Sequence, residues 1–551
     1  WLALFEGKKV QKSYPTRFLD LFSRPYINFA LGISTTLLFD KERKSIMAKN
    51  KIVVLSDVHI GTNVPTNWYQ KSFHEPYLSA ILDYVIDNAD SIQELILLGD
   101  LFDFWTYPPN FTPPATVDII NANPNIFGAT GKLSQALTAL QGNVTYVNGN
   151  HDMNVTQNDL NNIQNSANYK IKYCSDTIYY VTSSNGQKMA FTHGNIFTMF
   201  NAPDLQSSLS PLPVGHFVTR AIGYMLNNTL TPGQTVADLS GQGNPNGIDL
   251  SGLVSSVGSL ITSGNLVSAV LDYIIKVTGI PENEPIILAN GQTKTMADAK
   301  QIYSGLQDQW IADWGGGTNG EMITGKSAIA DLSGTYIAWF AQQSALESNS
   351  NLIVLGHTHA PKLGITNGFV QYVNDGFECP SSPDVPPQTF TFAVIDTDTC
   401  QSNVCQVIKQ NNSYQIVPFA APPDSVISSM SMDYSCYVSI DNTQGKSTLT
   451  LTKPATNEHG YYVVSPPQQI NPGEQVKFWL QDAPGLYGTQ GSAVYSQVGG
   501  NSLTFDYACP TGLSSNSCSG ANFYTSNDGV NWGQLNQVKK SGHPFFVKFV
   551  L

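Results

Sequence analysis

The chain has 551 residues, of which 41% are hydrophobic and 13% charged, and its formal net charge is −13. This length and apolar content allow two or three domains with buried cores. The acidic balance argues against a nucleic-acid surface, because phosphate backbones are met by clustered lysine and arginine. Bound divalent cations would offset part of the negative charge.

Residues 1–46 are predicted to form an N-terminal extension. Its most apolar part, Pro25–Phe39, is too short and too often interrupted by polar residues to span a bilayer. It lacks a convincing small-residue cleavage site, so no signal peptide is predicted, and Met47 is expected to be the natural start. We therefore expect a cytoplasmic protein, with secretion as the alternative.

Five apolar runs are each followed by a small break and then by residues able to bind a metal. The runs predict buried strands, and ligands bind at the strand ends of an α/β sheet. One such break alone would be an ordinary turn. Five of the nine histidines fall in these segments, which a scattered distribution would not produce. The strands and the residues after them are Ile52–Leu55 with Asp57 and His59, Leu95–Leu98 with Asp100 and Asp103, Val144–Val147 with Asn150, His151 and Asp152, Met189–Phe191 with His193, and Leu352–Leu355 with His357 and His359.

The ordered motifs DxH, GDxxD, GNHD, H and GHxH resemble those of calcineurin-like metallophosphoesterases over roughly residues 51–419. The resemblance implies an α/β fold, in which a β-sandwich is flanked by helices. It also implies a phosphoester substrate hydrolysed at two divalent metal ions. Imidazole nitrogens with carboxylate and amide oxygens suit Mn, Fe, Zn or Ni, so the residues leave the metal open.

The resemblance also implies which residues hold the two metals. Asp100 would bridge them, because a carboxylate has two oxygens. In the pairs Asp57-x-His59 and His357-x-His359, an extended backbone would point both side chains the same way. One metal would be held by Asp57, His59, Asp100 and His359, and the other by Asp100, Asn150, His193 and His357.

His151 remains free of metal in this assignment. Its implied role is to hold the phosphate and protonate the leaving-group oxygen, which suits an imidazole that titrates near neutral pH. Asp152 either orients His151 or makes a structural hydrogen bond. Asp103 either supports the site or caps the following segment, and Asn374 either supports the site or belongs to a turn.

Within the family, the runs GDLFDFW and GHTHAP are most similar to the branch that hydrolyses the pyrophosphate of UDP-2,3-diacylglucosamine. That branch typically has Arg where His151 stands. The reaction class therefore carries over, but the substrate does not. A phosphodiester or pyrophosphate is favoured over a phosphomonoester, and a lipid-bearing substrate remains a hypothesis.

The remaining segments of the first 419 residues are predicted to be helices and one long loop. Phe73–Ala89 and Gly131–Leu140 are crossover helices, and Trp105–Pro124 is a long loop whose aromatic residues line a substrate mouth or pack beneath it. Apolar residues at helical spacing predict a helical cap inserted at about residues 200–350, with helices at Ala297–Trp314 and Ser327–Leu346. Its apolar faces line substrate, face a membrane or, the favoured interpretation, form a core. Candidates for a pocket wall are Trp310, Trp314, Tyr336, Trp339 and Phe340.

After the phosphoesterase domain (47–419), a linker is predicted at 420–431 and an all-β sandwich at 432–551. The runs Ile470–Gly473, Gly488–Ser492 and Leu503–Pro510 resemble those of aegerolysins, small β-sandwich proteins that bind membrane lipids. Gln490 stands where that family usually has Glu. A lipid-binding domain and a non-binding sandwich both fit these runs.

The seven cysteines cannot all pair within the chain. Cys400 with Cys405 and Cys509 with Cys518 are candidate pairs, although cytoplasmic thiols would stay reduced. Taken together, the sequence predicts a binuclear metal-dependent phosphoesterase. The alternative is a membrane-lipid-binding or cytolysin-like protein with a vestigial phosphoesterase scaffold, but all the expected ligand positions are filled.

Overall fold

The part of the chain that can be described begins after the predicted N-terminal extension. That extension, at 1–46, and residues 427–431 of the predicted linker lie outside the described residues. Residues Lys49–Leu551 form one compact unit. No described helix is long and apolar enough to cross a membrane. The computed structural model describes residues 49–239, 248–365, 367–379, 390–426, 432–483, 485–497 and 499–551.

Helices and strands are mixed up to about residue 350, and strands dominate afterwards. The helices are α1 Lys71–Asp87, α2 Thr116–Ala122, α3 Pro124–Phe127, α4 Lys132–Ala139, α5 Gln157–Leu160, α6 Gly215–Thr229, α7 Ser251–Thr262, α8 Leu266–Thr278, α9 Met296–Ile302, α10 Leu306–Asp313, α11 Gly317–Ser333 and α12 Ile337–Glu347. The strands are β1 Lys51–Leu55, β2 Ile92–Leu98, β3 Val144–Val147, β4 Lys172–Tyr173, β5 Tyr179–Thr182, β6 Lys188–Phe191, β7 Ile286–Ile287, β8 Thr293–Lys294, β9 Leu352–Leu355, β10 Lys362–Leu363, β11 Gln371–Asn374, β12 Thr391–Asp396, β13 Ser402–Gln410, β14 Ser413–Pro418, β15 Cys436–Asp441, β16 Leu449–Leu451, β17 Thr456–His459, β18 Tyr461–Val464, β19 Gln469–Ile470, β20 Gln475–Gln481, β21 Gly488–Gln497, β22 Ser502–Pro510, β23 Ser517–Ser519, β24 Asn522–Ser526 and β25 Phe545–Val550.

Two sheets carry the five predicted strands, all of which are confirmed as strands. The first sheet has the order β14-β13-β12-β1-β2-β3-β4, and the second has the order β10-β11-β9-β6-β5. β1, β2 and β3 are parallel neighbours, and so are β6 and β9. Parallel strands end at the same edge of a sheet, so the motifs at their carboxyl ends are brought together.

Side chains alternate between two apolar environments along β1. Ile52 and Val54 pack in the core between the first and second sheets. Val53 and Leu55 pack on the opposite face, which α1 covers with residues such as Ile81. Each fully buried aliphatic side chain contributes roughly 1.5–3 kcal/mol. A continuous apolar run is therefore what a strand buried on both faces requires.

The helices α6–α11, here called the helical insertion, have a core of their own. Leu253 and Val257 of α7 pack there with Leu271 and Ile274 of α8. These apolar positions are buried, as the favoured interpretation expected, and none of the four faces a membrane.

Two predicted helices are each divided in the structure. Ala297–Trp314 contains α9 and α10, and Ser327–Leu346 contains the end of α11 and most of α12. Gly334 and Tyr336 adopt φ values of 70° and 73° between α11 and α12. A left-handed residue ends a helix, which explains the break at Gly334.

The predicted loop Trp105–Pro124 contains a helix, so that prediction was wrong in part. α2 begins after Ala115, whose backbone N–H donates to Asp118 Oδ2 at 2.9 Å. A carboxylate that accepts such a bond satisfies a donor at the start of a helix. This hydrogen bond stabilises the start of a helix in a segment that is otherwise rich in proline.

The last eleven strands form two further sheets. The third sheet has the order β18-β20-β15-β25-β24, and the fourth has the order β19-β16-β21-β22-β23 with β17 paired to β21. Phe478 and Tyr507 face each other across the sheets with ring centres 5.6 Å apart, and Phe505 and Phe549 are 4.9 Å apart. The two sheets therefore share a core. The aegerolysin resemblance stays a prediction.

The third sheet also packs against α12. The Trp339 ring lies 5.5 Å from that of Trp479, and Trp339 Nε1 donates to Gln481 Oε1 at 2.6 Å. Trp339 and Phe340 are 0% and 1% exposed. Trp339 therefore belongs to the core between α12 and the third sheet, whereas Phe340 packs on Phe197 and Trp314 with ring centres 5.9 and 6.0 Å apart.

All seven cysteines are unpaired, so neither candidate disulfide is formed. Cys400 packs between the first two sheets, whereas Cys405 packs against the helix-covered face of the first sheet. The two side chains thus lie in different cores. Cys518 is in register with Tyr507 rather than with Cys509.

Lys326 of α11 is a buried cation near the third sheet. Its side chain is 3% exposed, and its Nζ has no hydrogen-bond partner among the described residues. Nζ lies 4.3 Å from the ring centre of Trp339. Burial lowers the pKa of Lys326 to about 7, against the opposing effect of Asp482 and Asp433. The folded state therefore disfavours the charged amine.

We expect Lys326→Met to raise the free energy of unfolding at pH 7 by on the order of 2 kcal/mol. An unfolded lysine titrates at about 10.4. Between pH 7 and the pKa of the unfolded lysine, the unfolded state binds a proton that the folded state lacks. The free energy of unfolding of the wild type therefore rises with pH, and its difference from that of the variant decreases. Thermal denaturation at pH 7 and pH 10 measures this, with the exposed Lys446→Met as control. An equal difference in Tm at both pH values would contradict it.

Candidate active site

The predicted site residues lie together where the carboxyl ends of β1, β2, β3, β6 and β9 meet. Seven of the nine are at most 5% exposed. The side chains of His357 and His359 are 9% and 22% exposed, so the site opens on their side. The nine residues are Asp57, His59, Asp100, Asn150, His151, Asp152, His193, His357 and His359.

Carboxylates and imidazoles approach each other closely in this cluster. His193 Nε2 lies 3.2 Å from Asp100 Oδ2 and 3.8 Å from Asp57 Oδ1. His359 Nε2 lies 3.5 Å from Asp57 Oδ1 and 3.2 Å from His59 Nε2. Three groups have ligand atoms within 4.8 Å of one another: Asp57 with His59 and His359, Asp57 with Asp100 and His193, and His59 with Asp103 and His151.

The backbone of the DxH and GHxH motifs is not extended, so the predicted reason for their convergence was wrong. Asp57, His59, His357 and His359 have φ values of 56°, 55°, 68° and 54°. Asp and His tolerate this left-handed region better than most residues, and such strain is typical of functional sites. His59 N–H donates to Asp100 O at 2.8 Å, which replaces the ladder of a continuing strand. The donors converge because the chain turns at alternate residues.

The glycine breaks are required by close packing against the ligands. Gly99 has a φ of 84°, and a Cβ there would lie 2.7 Å from the ring of His193. A Cβ on Gly149 would lie 2.2 Å from Asp100 Oδ1. Only glycine adopts the positive φ at residue 99 without strain, and only a residue without a Cβ fits beside His193 at residue 99 and beside Asp100 at residue 149.

His193 has a defined orientation. Its Nδ1 lies 2.9 Å from the Leu98 carbonyl oxygen, which can only accept a hydrogen bond. Nδ1 therefore carries the proton, and Nε2 is the nitrogen that faces Asp100 and, at 3.2 Å, Asn150 Oδ1. This is the arrangement of a metal-ligating imidazole whose other nitrogen is held by the protein.

The donor set fits a centre of two divalent metals. Burial raises the pKa of Asp57 to about 8, and the neighbouring Asp375 and Asp100 add to the rise. Burial opposes the protonation of His193, but Asp100 and Asp57 raise its pKa to about 10. Crowded carboxylates thus raise the pKa values of their own groups and of the neighbouring histidine, and a bound dication would stabilise the deprotonated forms of these groups. Nitrogen and oxygen donors together match Mn, Fe, Zn or Ni.

Asp103 both supports the site and caps the following segment. Its Oδ1 lies 3.2 Å from His151 Nδ1, and its Oδ2 lies 3.3 Å from His59 Nδ1. It also accepts hydrogen bonds from the backbone of Trp105 and Thr106 at 2.7 and 3.0 Å. Burial lowers the pKa of His151, but Asp103 and Asp100 outweigh this effect and raise it above its usual value.

Asp152 makes structural hydrogen bonds. The residue that contacts the His151 ring is Asp103 and not, as one interpretation expected, Asp152. Asp152 Oδ1 accepts from Gly149 N at 2.7 Å, and Oδ2 accepts from Leu101 N at 2.9 Å and from the Tyr146 hydroxyl. These bonds join the turns after β2 and β3. Asp152 thus holds the segments that carry Asp100 and His151.

Asn374 supports the GHTH turn. It is the last residue of β11, and its Nδ2 donates to Gly356 O at 2.6 Å and to Thr358 Oγ1 at 3.1 Å. The next residue, Asp375, accepts from Ser56 Oγ at 2.6 Å. This strand end thereby ties the last motif to the first.

Two tryptophans enclose His151, and one was not predicted. The Trp105 ring stacks on that of His151 with centres 4.3 Å apart, and Trp68 lies 5.2 Å away. Trp68 also lies 4.7 Å from His59. His216 of the helical insertion lies 5.5 Å from Trp105. The predicted aromatic loop therefore does contact the site.

The helical insertion and the segment before it supply three further residues that sequence reasoning missed. Thr198 Oγ1 lies 3.1 Å from His357 Nε2, and Asp331 Oδ1 lies 4.0 Å from the same nitrogen. Asn201 Oδ1 accepts from Asn150 Nδ2 at 3.3 Å. None stands in a motif or after an apolar strand, so no local pattern indicated them.

Comparisons with known proteins bear on the first part of the chain. Residues 50–224 match the family model described as Calcineurin-like phosphoesterase, a range that ends before His357. No curated protein matches the chain. Among solved structures, it is similar to a dimetal phosphatase from Danio rerio, with 12% identity and a TM-score of 0.27, covering 68% of this chain and 100% of that one.

Proposed function

We propose that the chain, whose residues 50–224 match the calcineurin-like phosphoesterase family model, is a metal-dependent hydrolase that cleaves phosphodiesters or pyrophosphates. The observation that carries this proposal is the buried cluster in which Asp57, Asp100 and His193 offer donors within 4.8 Å of one another. The proposed ligands are Asp57, His59, Asp100 and His359 for one metal, and Asp100, Asn150, His193 and His357 for the other.

Two bound divalent ions would neutralise the phosphoryl oxygens and supply a nucleophile at neutral pH. The protein's own contribution is to fix the donors. His193 Nδ1 is engaged by the Leu98 carbonyl, so Nε2 is directed into the cluster. Asp100 receives the His151 backbone N–H on Oδ1 at 2.8 Å, so its Oδ2 is left towards His193.

His151 is proposed to hold the phosphate and donate a proton to the leaving-group oxygen. Asp103 occupies its Nδ1, which leaves Nε2 as the nitrogen that donates. Stacking on Trp105 and the nearby Trp68 restrict how the ring can turn. The carboxylate of Asp103 favours the protonated imidazole that this role needs.

A phosphodiester is favoured over a monoester because the site has little positive charge of its own. Among the described residues, Asp57, Asp100 and Asp103 lie within ion-pair distance of histidines and of no lysine or arginine. A monoester dianion carries one more negative charge than a diester. The formal charge of −13 disfavours that dianion further.

The test is hydrolysis of bis(p-nitrophenyl) phosphate beside p-nitrophenyl phosphate by the full chain, first chelated and then loaded with Mn²⁺. The proposal expects Mn²⁺-dependent cleavage with the higher kcat/KM for the diester. Replacement of His459, a histidine of β17, serves as the control and should change neither rate. A higher kcat/KM for the monoester would overturn the diester assignment.

We also propose that the substrate is lipid-linked and that the C-terminal sheets bind a membrane surface. Leu486, Tyr487 and Leu513 are 84%, 68% and 106% exposed. Their two loops adjoin, because Thr511 N–H donates to Tyr487 O at 3.4 Å. Clustered exposed apolar side chains are typical of interaction sites, and this cluster supports a membrane role in addition to hydrolysis.

Flotation of the full chain with phosphatidylcholine and sphingomyelin vesicles tests membrane binding. The double replacement Leu486→Ser and Leu513→Ser should reduce the vesicle-bound fraction. Leu535→Ser, at a residue that is 48% exposed outside these loops, should leave it unchanged. Equal binding by all three proteins would show that the patch does not bind membranes.

A further inference from the structure

Asp331 of α11 is a buried carboxylate that reaches from the helical insertion to the edge of the proposed metal site. Its side chain is 3% exposed. Oδ2 accepts a hydrogen bond from the Phe200 backbone N–H, and Oδ1 accepts one from Asn201 Nδ2 at 2.6 Å. Both oxygens of Asp331 therefore accept hydrogen bonds from N–H donors.

Asn201 continues these contacts towards the metal ligands. Its Oδ1 accepts a hydrogen bond from Asn150 Nδ2 at 3.3 Å. Asn150 Oδ1 in turn lies 3.2 Å from His193 Nε2. Gly215, at the start of α6, leaves room for this path, because a Cβ there would lie 2.1 Å from Asn201 Oδ1.

The chemistry of the three groups fixes the direction of this relay. A side-chain amide has a donor end and an acceptor end, and both Asp331 oxygens accept from N–H groups. Asp331 therefore holds the NH₂ group of Asn201, which turns the Asn201 oxygen towards Asn150. The NH₂ group of Asn150 is then engaged, and its oxygen faces the cluster.

We propose that Asp331 is a positioning residue that acts through Asn201 to present the oxygen of Asn150 to the metal position that Asn150 would share with Asp100, His193 and His357. The proposal rests on the proposed function, because that function makes Asn150 a ligand. An amide presented the other way round would direct an NH₂ group at a cation and could not bind it. The helical insertion thereby sets the affinity of one of the two metal positions.

Asp331→Asn keeps the shape of the side chain but replaces one accepting oxygen with an NH₂ group, so both amides can reverse. In a titration of the chelated full chain with Mn²⁺, followed by calorimetry, we expect one of the two equivalents to bind 10- to 100-fold more weakly than in the wild type. The other equivalent should bind as in the wild type. Asp308→Asn, at an exposed residue of α10, is the matched control.

A relay makes a further prediction that a purely structural role does not. Asn201→Ala should weaken the same equivalent to a similar extent, and the double variant should bind metal no more weakly than either single variant. Additive losses would show two independent effects and would overturn the relay. The Tm of the metal-free variants identifies any that fail to fold. If Asp331→Asn fails to fold, the affinities of Asn201→Ala for its two Mn²⁺ equivalents provide the test.

The outcomes separate this inference from the proposed function. Wild-type protein that binds fewer than two Mn²⁺ ions contradicts the binuclear site itself. If the wild type binds two Mn²⁺ ions and the Asp331→Asn variant binds both ions with unchanged affinity, only the role of Asp331 is overturned.

Discussion

Replacement of Asp100 by Ala is expected to abolish binding at both metal positions and to lower phosphoester turnover by about 10³-fold or more, which corresponds to at least about 4 kcal/mol. Asp100 Oδ2 lies 3.2 Å from His193 Nε2 and 3.7 Å from His59 Nε2, which are proposed to hold different metals. The loss of one shared ligand therefore removes charge from both positions. Elemental analysis of the dialysed protein measures the retained metal.

The Asp100→Asn variant separates loss of the metal from local disruption. Asp100 Oδ1 accepts the backbone N–H of His151 at 2.8 Å, and Ala leaves that buried donor unpaired. Asn preserves an acceptor and the volume but lacks the charge and the second oxygen. Both variants should therefore lose metal, and only Ala should also lower Tm. An Asp100→Ala protein that retains two ions would exclude the bridging role.

His151→Ala is expected to keep both metals and to lose about 10²- to 10⁴-fold in turnover of diesters with an alkyl leaving group. An alkoxide is a poor leaving group and needs a proton, whereas p-nitrophenolate leaves without one. The loss should thus be much smaller for bis(p-nitrophenyl) phosphate. Steady-state kinetics on the two substrate types measures this difference.

His151→Gln is the control for packing, because it fills more of the space beside Trp105 and Trp68. It should behave as His151→Ala does if proton donation is what is lost. Equal losses for alkyl and p-nitrophenyl substrates would assign His151 to phosphate binding and not to protonation.

The strands and motifs of the site were predictable because their signals are local. A short apolar run before a glycine and a polar residue indicates both where a strand ends and which side chain lies beyond its end, as Leu95–Asp100 illustrates. The backbone between the ligands was not predictable in this way. Asp57 and His59 take left-handed φ values because their N–H groups bond to the turn after β2, which is distant in sequence.

Contacts between distant elements account for most of the features that the sequence did not reveal. Asp331 and Asn201 are 130 residues apart, and each alone is an ordinary polar residue of a helix or a turn. Trp339 was a candidate for a pocket wall, but the third sheet covers it through Trp479. The sequence did not decide the roles of Asp103 and Asp152, because both residues come after a glycine break. Only their hydrogen-bond partners distinguish the two roles.

The most direct test of the central claim is a Mn²⁺ titration of the chelated full chain, in which bound metal and hydrolysis of bis(p-nitrophenyl) phosphate are measured in the same samples. A binuclear centre predicts no hydrolysis without metal and a turnover that rises to its maximum at two bound ions per chain. Full turnover at one ion, or hydrolysis that survives chelation, would contradict a binuclear metal-dependent phosphoesterase.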